Sequence, residues 1–166
     1  QKALRKSNLS EGEKYLNTAI SEYPNYAAAW LALGRVYQQQ GRNEEARKAF
    51  TAAIEADDKY VNSYIALAHL AGLESKWQEV ADLTDRALVL DPLDFPEGYY
   101  FNSLAYYNLG KLDVAEKSAL KTQRLDGMHR YASVHLLLAE ILKRKQDTAG
   151  AIAQLQNYLK FAPKAA

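Results

Sequence analysis

Across 166 residues, 21 Lys and Arg stand against 20 Asp and Glu, a formal net charge of +1, and cysteine is absent. So even a balance gives no electrostatic case for nucleic acid or an anionic membrane surface, and without cysteine there are no disulfides and no thiolate metal ligands. No apolar run approaches the roughly 18 to 20 residues that a membrane-spanning helix requires.

From the N-terminus, residues 1–6 read as the tail of one helix and residues 9–22 as a second, capped by Asn8 or Ser10. Pro24 ends it, because proline cannot continue a helix and biases the residue before it away from helical geometry. Trp30, Leu33, Gly34 and Tyr37 then fall at i, i+3, i+4 and i+7 and share one helix face. Ala46, Phe50 and Ala53 form a second stripe at i, i+4 and i+7. Between the stripes, Gly41-Arg42-Asn43 supplies a helix stop and then an N-cap candidate. A large residue on each helix faces a small one on the other, and Gly34 and Ala46 mark where the two backbones approach.

The pattern recurs. The small residue that opens the second helix returns at Gly12, Ala46, Val80, Ala115 and Ala151, with spacings of 34, 34, 35 and 36. The closing position is Pro24, Asp58, Pro92, Gly127 and Pro163. The aromatic that opens the first helix returns as Trp30, Tyr64 and Tyr99, with His135 in the last unit; three positions on stand Leu33, Leu67, Asn102 and Leu138. Further turns are expected at Ser75-Lys76, Gly110-Lys111 and Gln146-Asp147, and Trp77 reads as a packing residue. The third full unit is loose, with Asn102, Ser103, Ala119 and Thr122 replacing Leu, Gly, an aromatic and Ala. About two extra residues near His129-Arg130-Tyr131 lengthen the turn before the last hairpin.

This spacing resembles the tetratricopeptide repeat (TPR) over essentially the whole chain. The resemblance implies an all-α fold, a right-handed α-solenoid of antiparallel helix hairpins (a TPR superhelix). It implies a single domain over residues 1–166, with a partial repeat at 1–26 and four full repeats at about 27–60, 61–94, 96–129 and 132–165. It also implies a concave groove lined by successive first helices, which binds a peptide or helical segment of a partner protein. Carried over position by position, the first full hairpin displays Arg35, Gln38 and Gln39, with Leu31 and Ala32. The second displays Asn62 and His69, with Ile65, Ala66 and Leu73. From the third come Tyr100, Phe101, Tyr107 and Asn108, with Glu97 and Leu104; from the last, Glu140, with Ser133, Leu136, Leu137, Lys143 and Arg144.

Tyr and Asn hold peptides by stacking and by hydrogen bonds to main chain. Tyr100, Phe101 and Tyr107 form a candidate anchor pocket, the alternative being that they pack between first helices. Arg35 is placed to pair with a ligand carboxylate, the alternative being a solvated or internally paired side chain. The Lys, Asn and Arg clamp with which some TPR proteins hold acidic chaperone tails is missing, since Leu31, Arg35, Ala66, Glu97 and Phe101 occupy the matching positions.

Catalysis is not expected. His69, His129 and His135 lack metal-ligand spacing, and there is no phosphate-binding glycine loop and no G-x-S-x-G. The expectation is therefore a non-catalytic scaffold with no cofactor, no metal and no membrane insertion. An RNA-binding repeat would need a cationic stripe beside stacking aromatics, which the mapped groove lacks. Within the scaffold class, end-to-end self-assembly is the alternative. The wording of the repeats looks bacterial, with cytoplasm and periplasm both open. A start at Gln1 and the lack of a polar capping helix near Ala166 suggest a piece of a longer protein. Apolar positions at the two ends, Ala3 and Leu4 at one and Ile152, Leu155 and Leu159 at the other, invite homodimerisation. Light scattering at high protein concentration is expected to show a dimer; a monomer there would overturn that expectation.

Overall fold

The computed structural model describes residues 2–93 and 95–161, and among these the chain forms nine α-helices and no strand. They are α1 (Lys2–Glu22), α2 (Ala27–Gln39), α3 (Asn43–Ala56), α4 (Val61–Leu73), α5 (Trp77–Leu90), α6 (Pro96–Asn108), α7 (Leu112–Leu125), α8 (Ser133–Arg144) and α9 (Thr148–Phe161). The expected closing residue Pro163 lies outside the described residues. The chain divides into two compact units, Gln1–Leu70 and Ala71–Ala166.

The turn inside each hairpin obeys one rule. Gly41, Ser75, Gly110 and Gln146 all take positive φ, at 77°, 57°, 76° and 66°. This left-handed residue lets the next amide turn back onto the ending helix: Arg42 N–H reaches Tyr37 O at 2.9 Å, and Lys111 N–H reaches Tyr106 O at 2.9 Å. Such a stop satisfies carbonyls that a helix end would otherwise orphan. Glycine adopts the conformation freely, whereas Ser75 and Gln146 carry a Cβ into it.

Two local expectations need correction. The N-cap of α3 is Arg42 rather than Asn43, with no side-chain cap bond, and Glu44 and Glu45 in the first turn supply the negative charge that a helix start favours. At the N-terminus α1 runs unbroken through Asn8 and Ser10. No Gly or Pro interrupts residues 2–10, so nothing in the backbone forces a second start there.

In the first unit, Phe50 is fully buried and its ring lies on Gly34 of α2; a Cβ at Gly34 would stand 2.4 Å from two ring carbons. Ile20, Ala29 and Leu33 form a core with Leu16, Ala19, Trp30 and Tyr37 packed against it. The Arg42 guanidinium reaches both carboxylate oxygens of Glu13 on α1 at 2.9 Å and also binds Glu45 at 2.9 Å. Arg42 thereby holds the Glu13 carboxyl below its usual range.

The aromatic that opens each first helix uses its polar handle. Trp30 Nε1 donates to Pro24 O at 2.8 Å, and Tyr64 Oη to Asp58 O at 2.9 Å. In the second unit Tyr99 Oη donates to Pro92 O at 3.0 Å. Each acceptor is the closing residue just before that helix, so the aromatic ties the joint between hairpins. The core of the second unit gathers Ala115, Ala119, Val134, Leu137, Leu138 and Ile141.

Gly34→Ala tests the close approach in α2. The added Cβ meets a rigid, buried ring, so overpacking outweighs the gain in helix propensity, and chemical denaturation should show a net loss of about 1 to 2 kcal/mol. In a Phe50→Leu background the same change should cost less, a coupling that a double-mutant cycle reads directly.

Candidate partner-binding surfaces

Each unit presents first helices of its own. In the first unit, Gln38 of α2 and His69 of α4 meet at 3.2 Å, Nε2 to Nδ1, which places these two helices side by side. Arg35 lies three residues before Gln38 and Asn62 seven before His69, so helical periodicity sets them on the same two faces. Arg35, Gln39 and Asn62 are exposed, and among the described residues none of their side chains makes a hydrogen bond or ion pair. Not every mapped position is surface. Leu31 is 3% exposed, Ile65 5% and Leu137 9%, so these three belong to the interior. The apolar stripe of α2 is wider than the face of Trp30, Leu33, Gly34 and Tyr37, as suits a helix packed on more than one neighbour.

In the second unit, the aromatics are engaged. Ser133 Oγ donates to Tyr100 Oη at 3.0 Å, and the Tyr100 ring stacks on Tyr131 with centroids 5.5 Å apart. Phe101 meets Tyr100 edge-on at 5.7 Å. The Arg144 guanidinium sits 4.2 Å from the centre of the Tyr107 ring. Tyr100, Leu104 and Tyr107 also pack on the core cluster. These tyrosines therefore form a wall between α6 and α8, the packing alternative, with only part of each ring facing out. Asn108 is exposed and donates to Leu104 O at 2.8 Å, while Glu140 is exposed near Lys143 at 3.8 Å. Burial, and next the Glu97 carboxylate, push the Tyr131 phenol up to about 12.

The polar departures of the third full hairpin from the repeat are bonded to one another and to α5. Asn102, 2% exposed, donates to Thr84 Oγ1 at 2.9 Å and Asp85 Oδ1 at 2.7 Å, and accepts from Ser118 Oγ at 2.6 Å. Tyr106 Oη donates to Asp85 Oδ2 at 2.5 Å, and Ser103 Oγ donates to Ala115 O at 2.9 Å. Hydrogen bonds replace the interdigitated leucine and aromatic of the first hairpin, because a buried polar group must find partners. Asp85 is a hub of this network, with both carboxylate oxygens bonded. The signal was present in the sequence: Thr84, Asn102 and Ser118 are all polar where the repeat places core residues.

Around His135, 2% exposed, the fourth hairpin does something similar. Its Nδ1 lies 2.8 Å from Gln154 Oε1 and 3.3 Å from Gln123 Nε2, and Phe161 stacks on the ring at 5.6 Å. The ring is a core residue with amide partners. Among the described residues no group of three or more His, Cys, Asp or Glu could hold a metal, and no helix is long and apolar enough to cross a membrane.

Comparison with known proteins agrees with this architecture. Models of the tetratricopeptide repeat match residues 3–70 and 102–166. The anaphase-promoting complex subunit cut9 of Schizosaccharomyces pombe is 26% identical over 152 residues, covering 89% of this chain. The chain spans only 22% of that protein's length. The structure of MamA from Desulfovibrio magneticus superimposes with a TM-score of 0.81 at 17% identity, covering 97% of this chain and 89% of that one. YrrB, described as a TPR protein with an unusual peptide-binding site, gives 0.79 at 19% identity, covering 96% and 81%. At such identities the likeness shows the fold, an α-solenoid of helix hairpins.

The Asp85–Tyr106 bond has a consequence in alkali. Chiefly through that hydrogen bond, Asp85 pushes the Tyr106 phenol up to about 12, against about 10 in an unfolded chain. The raised folded value means that the stabilisation is complete below about pH 10 and is lost as pH rises through about 12. Phenolate absorbance should show late ionisation of Tyr106, and Asp85→Asn should return it towards the ordinary range; denaturation midpoints of Tyr106→Phe should fall less over that interval.

Proposed function

Because the chain belongs to the tetratricopeptide repeat family, we propose that it is a non-catalytic scaffold that binds a peptide or helical segment of another protein on the faces of its first helices. The observation that carries this reading is the set of exposed, uncommitted polar groups on α2 and α4: Arg35, Gln39 and Asn62. A bound segment brings main-chain N–H and C=O groups that need partners, which Gln and Asn amides supply. Arg35 offers a two-pronged site for a carboxylate on that segment. In the second unit the part-exposed edges of Tyr100, Phe101 and Tyr107, flanked by Asn108 and Glu140, offer apolar contact with polar neighbours. YrrB's described peptide-binding site supports this class of function for the fold. Self-assembly is the second reading, favoured by Ile152, Leu155 and Leu159 of α9, which are 51%, 45% and 79% exposed.

A peptide array probed with wild type and with Arg35→Ala/Gln39→Ala/Asn62→Ala tests the first reading. These exposed positions touch stability by less than about 0.5 kcal/mol each, so the variant should fold, as circular dichroism will verify. Hits should weaken about tenfold or more in the variant, equivalent to roughly 1.4 kcal/mol. An array with no hits, or hits that all survive, would overturn the assignment of this face.

A further inference from the structure

A second surface stands out on α7, away from the first-helix faces. A cleft of about 480 Å³ lies between α6 and α7, and Asp85 of α5 also lines it. Two departures from the repeat coincide there. At its base are the buried Asn102 and Ser118, where the first hairpin has Leu33 and Ala49. Along α7 run Lys117, Lys121 and Arg124, at i, i+4 and i+7 and hence on one face. The matching positions are Lys48, Ala52 and Glu55 in α3, Asp82, Arg86 and Val89 in α5, and Ala153, Asn157 and Lys160 in α9. Only α7 presents three cations in this row.

Those cations are uncommitted. Lys117 and Arg124 are exposed, and among the described residues none of the three makes an ion pair; Lys121 lies 5.7 Å from the centre of the Tyr99 ring. Several cations elsewhere find carboxylates: Arg42 at Glu13, Lys76 at Glu74, Lys145 at Asp113 and Glu116. The last pairing matters most here. Asp113 and Glu116 are the acids on α7 itself, and both turn to Lys145 at the C-terminal cap of α8, at 2.7 and 2.6 Å. The acids of α7 are thus drawn off, and its cleft face carries only positive charge. Asp85 is the one acid lining the cleft, and both of its oxygens are occupied, by Asn102 and Tyr106.

We propose that this cleft is a docking site for an extended acidic peptide segment of a partner protein, rich in Asp and Glu. Its carboxylates pair with Lys117, Lys121 and Arg124. The Ser118 oxygen, which donates its own proton to Asn102, keeps lone pairs for a main-chain N–H of the segment. The apolar stems of the two lysines and the Tyr99 ring cover the intervening side chains. Charge complementarity selects this occupant, since the lining sums to +2, three cations against Asp85, while the whole chain is +1.

The probe is a fluorescein-labelled twelve-residue peptide of alternating Glu and Ala, read by anisotropy against the whole chain, with the matching Gln/Ala peptide as control. The acidic peptide should bind and weaken as salt rises, because exposed pairs are screened, and the Gln/Ala peptide should not. Lys117→Glu/Arg124→Glu should weaken binding by about tenfold or more, whereas Lys117→Arg should retain it. Asp85→Asn, which keeps an oxygen for Asn102 while removing the charge, should bind more tightly. Arg35→Ala/Gln39→Ala/Asn62→Ala should leave binding unchanged, which separates this site from the first-helix face. No binding by the acidic peptide, equal binding by the charge-reversed variant, or stronger binding of single-stranded poly(U) through the same residues would each overturn the proposal.

Discussion

Two helices of a hairpin can lie close only if one side gives up its side chain, and Phe50 on Gly34 is where this chain meets that condition most strictly. The contact between α2 and α3 is built around it. The glycine lets the ring into the helix surface, and the ring is fully buried there. A tightly packed interior transmits such a constraint instead of absorbing it. The third hairpin meets the same need by another route. With Ser103 and Ala119 at the matching positions, there is no ring to receive, and the space is organised by directed bonds from Asn102, Ser118 and Ser103. Such a network is fixed by geometry and tolerates little slippage.

Much of this architecture was readable in the chain. The stripes at Trp30 and Ala46 announce two helices in contact, and spacings near 34 announce their recurrence, because periodicity reports which residues must be buried together. The turn positions were equally plain where Gly41 and Gly110 mark them. What could not be read were relations between distant residues. Asn102 finds Thr84, Asp85 and Ser118 across three helices, and no local pattern says that three separate polar departures will share one set of bonds. The surface was also legible only in part. A family position assigns Leu31 and Ile65 to a binding face, but burial there depends on how closely a neighbouring helix approaches, which only coordinates reveal.

Charge tells a similar story. The near-zero balance argues against a polyanion-binding protein as a whole, and that argument concerns the sum alone. Pairing redistributes the charge locally. Lys145 gathers two acids to one side of α7 and, by doing so, gives the other side a character that the total conceals. Composition bounds the field at long range, whereas individual salt bridges decide what a partner meets at contact distance.

The tethers from Trp30, Tyr64 and Tyr99 have a mechanical meaning as well. Each clasps the start of a helix to the carbonyl just before it, so tension along the chain is shared by a side chain and a backbone segment at that joint. The joint before α8 is built otherwise. His135 turns inward to Gln154, and Asp126 bonds the Tyr131 amide at 2.6 Å within the turn, without reaching the helix that follows. A pull transmitted through this molecule therefore meets three clasped joints and one open one. At that open joint the load passes instead to the core that α8 shares with α7, so parting the last hairpin would have to break into Val134, Leu138 and Ile141.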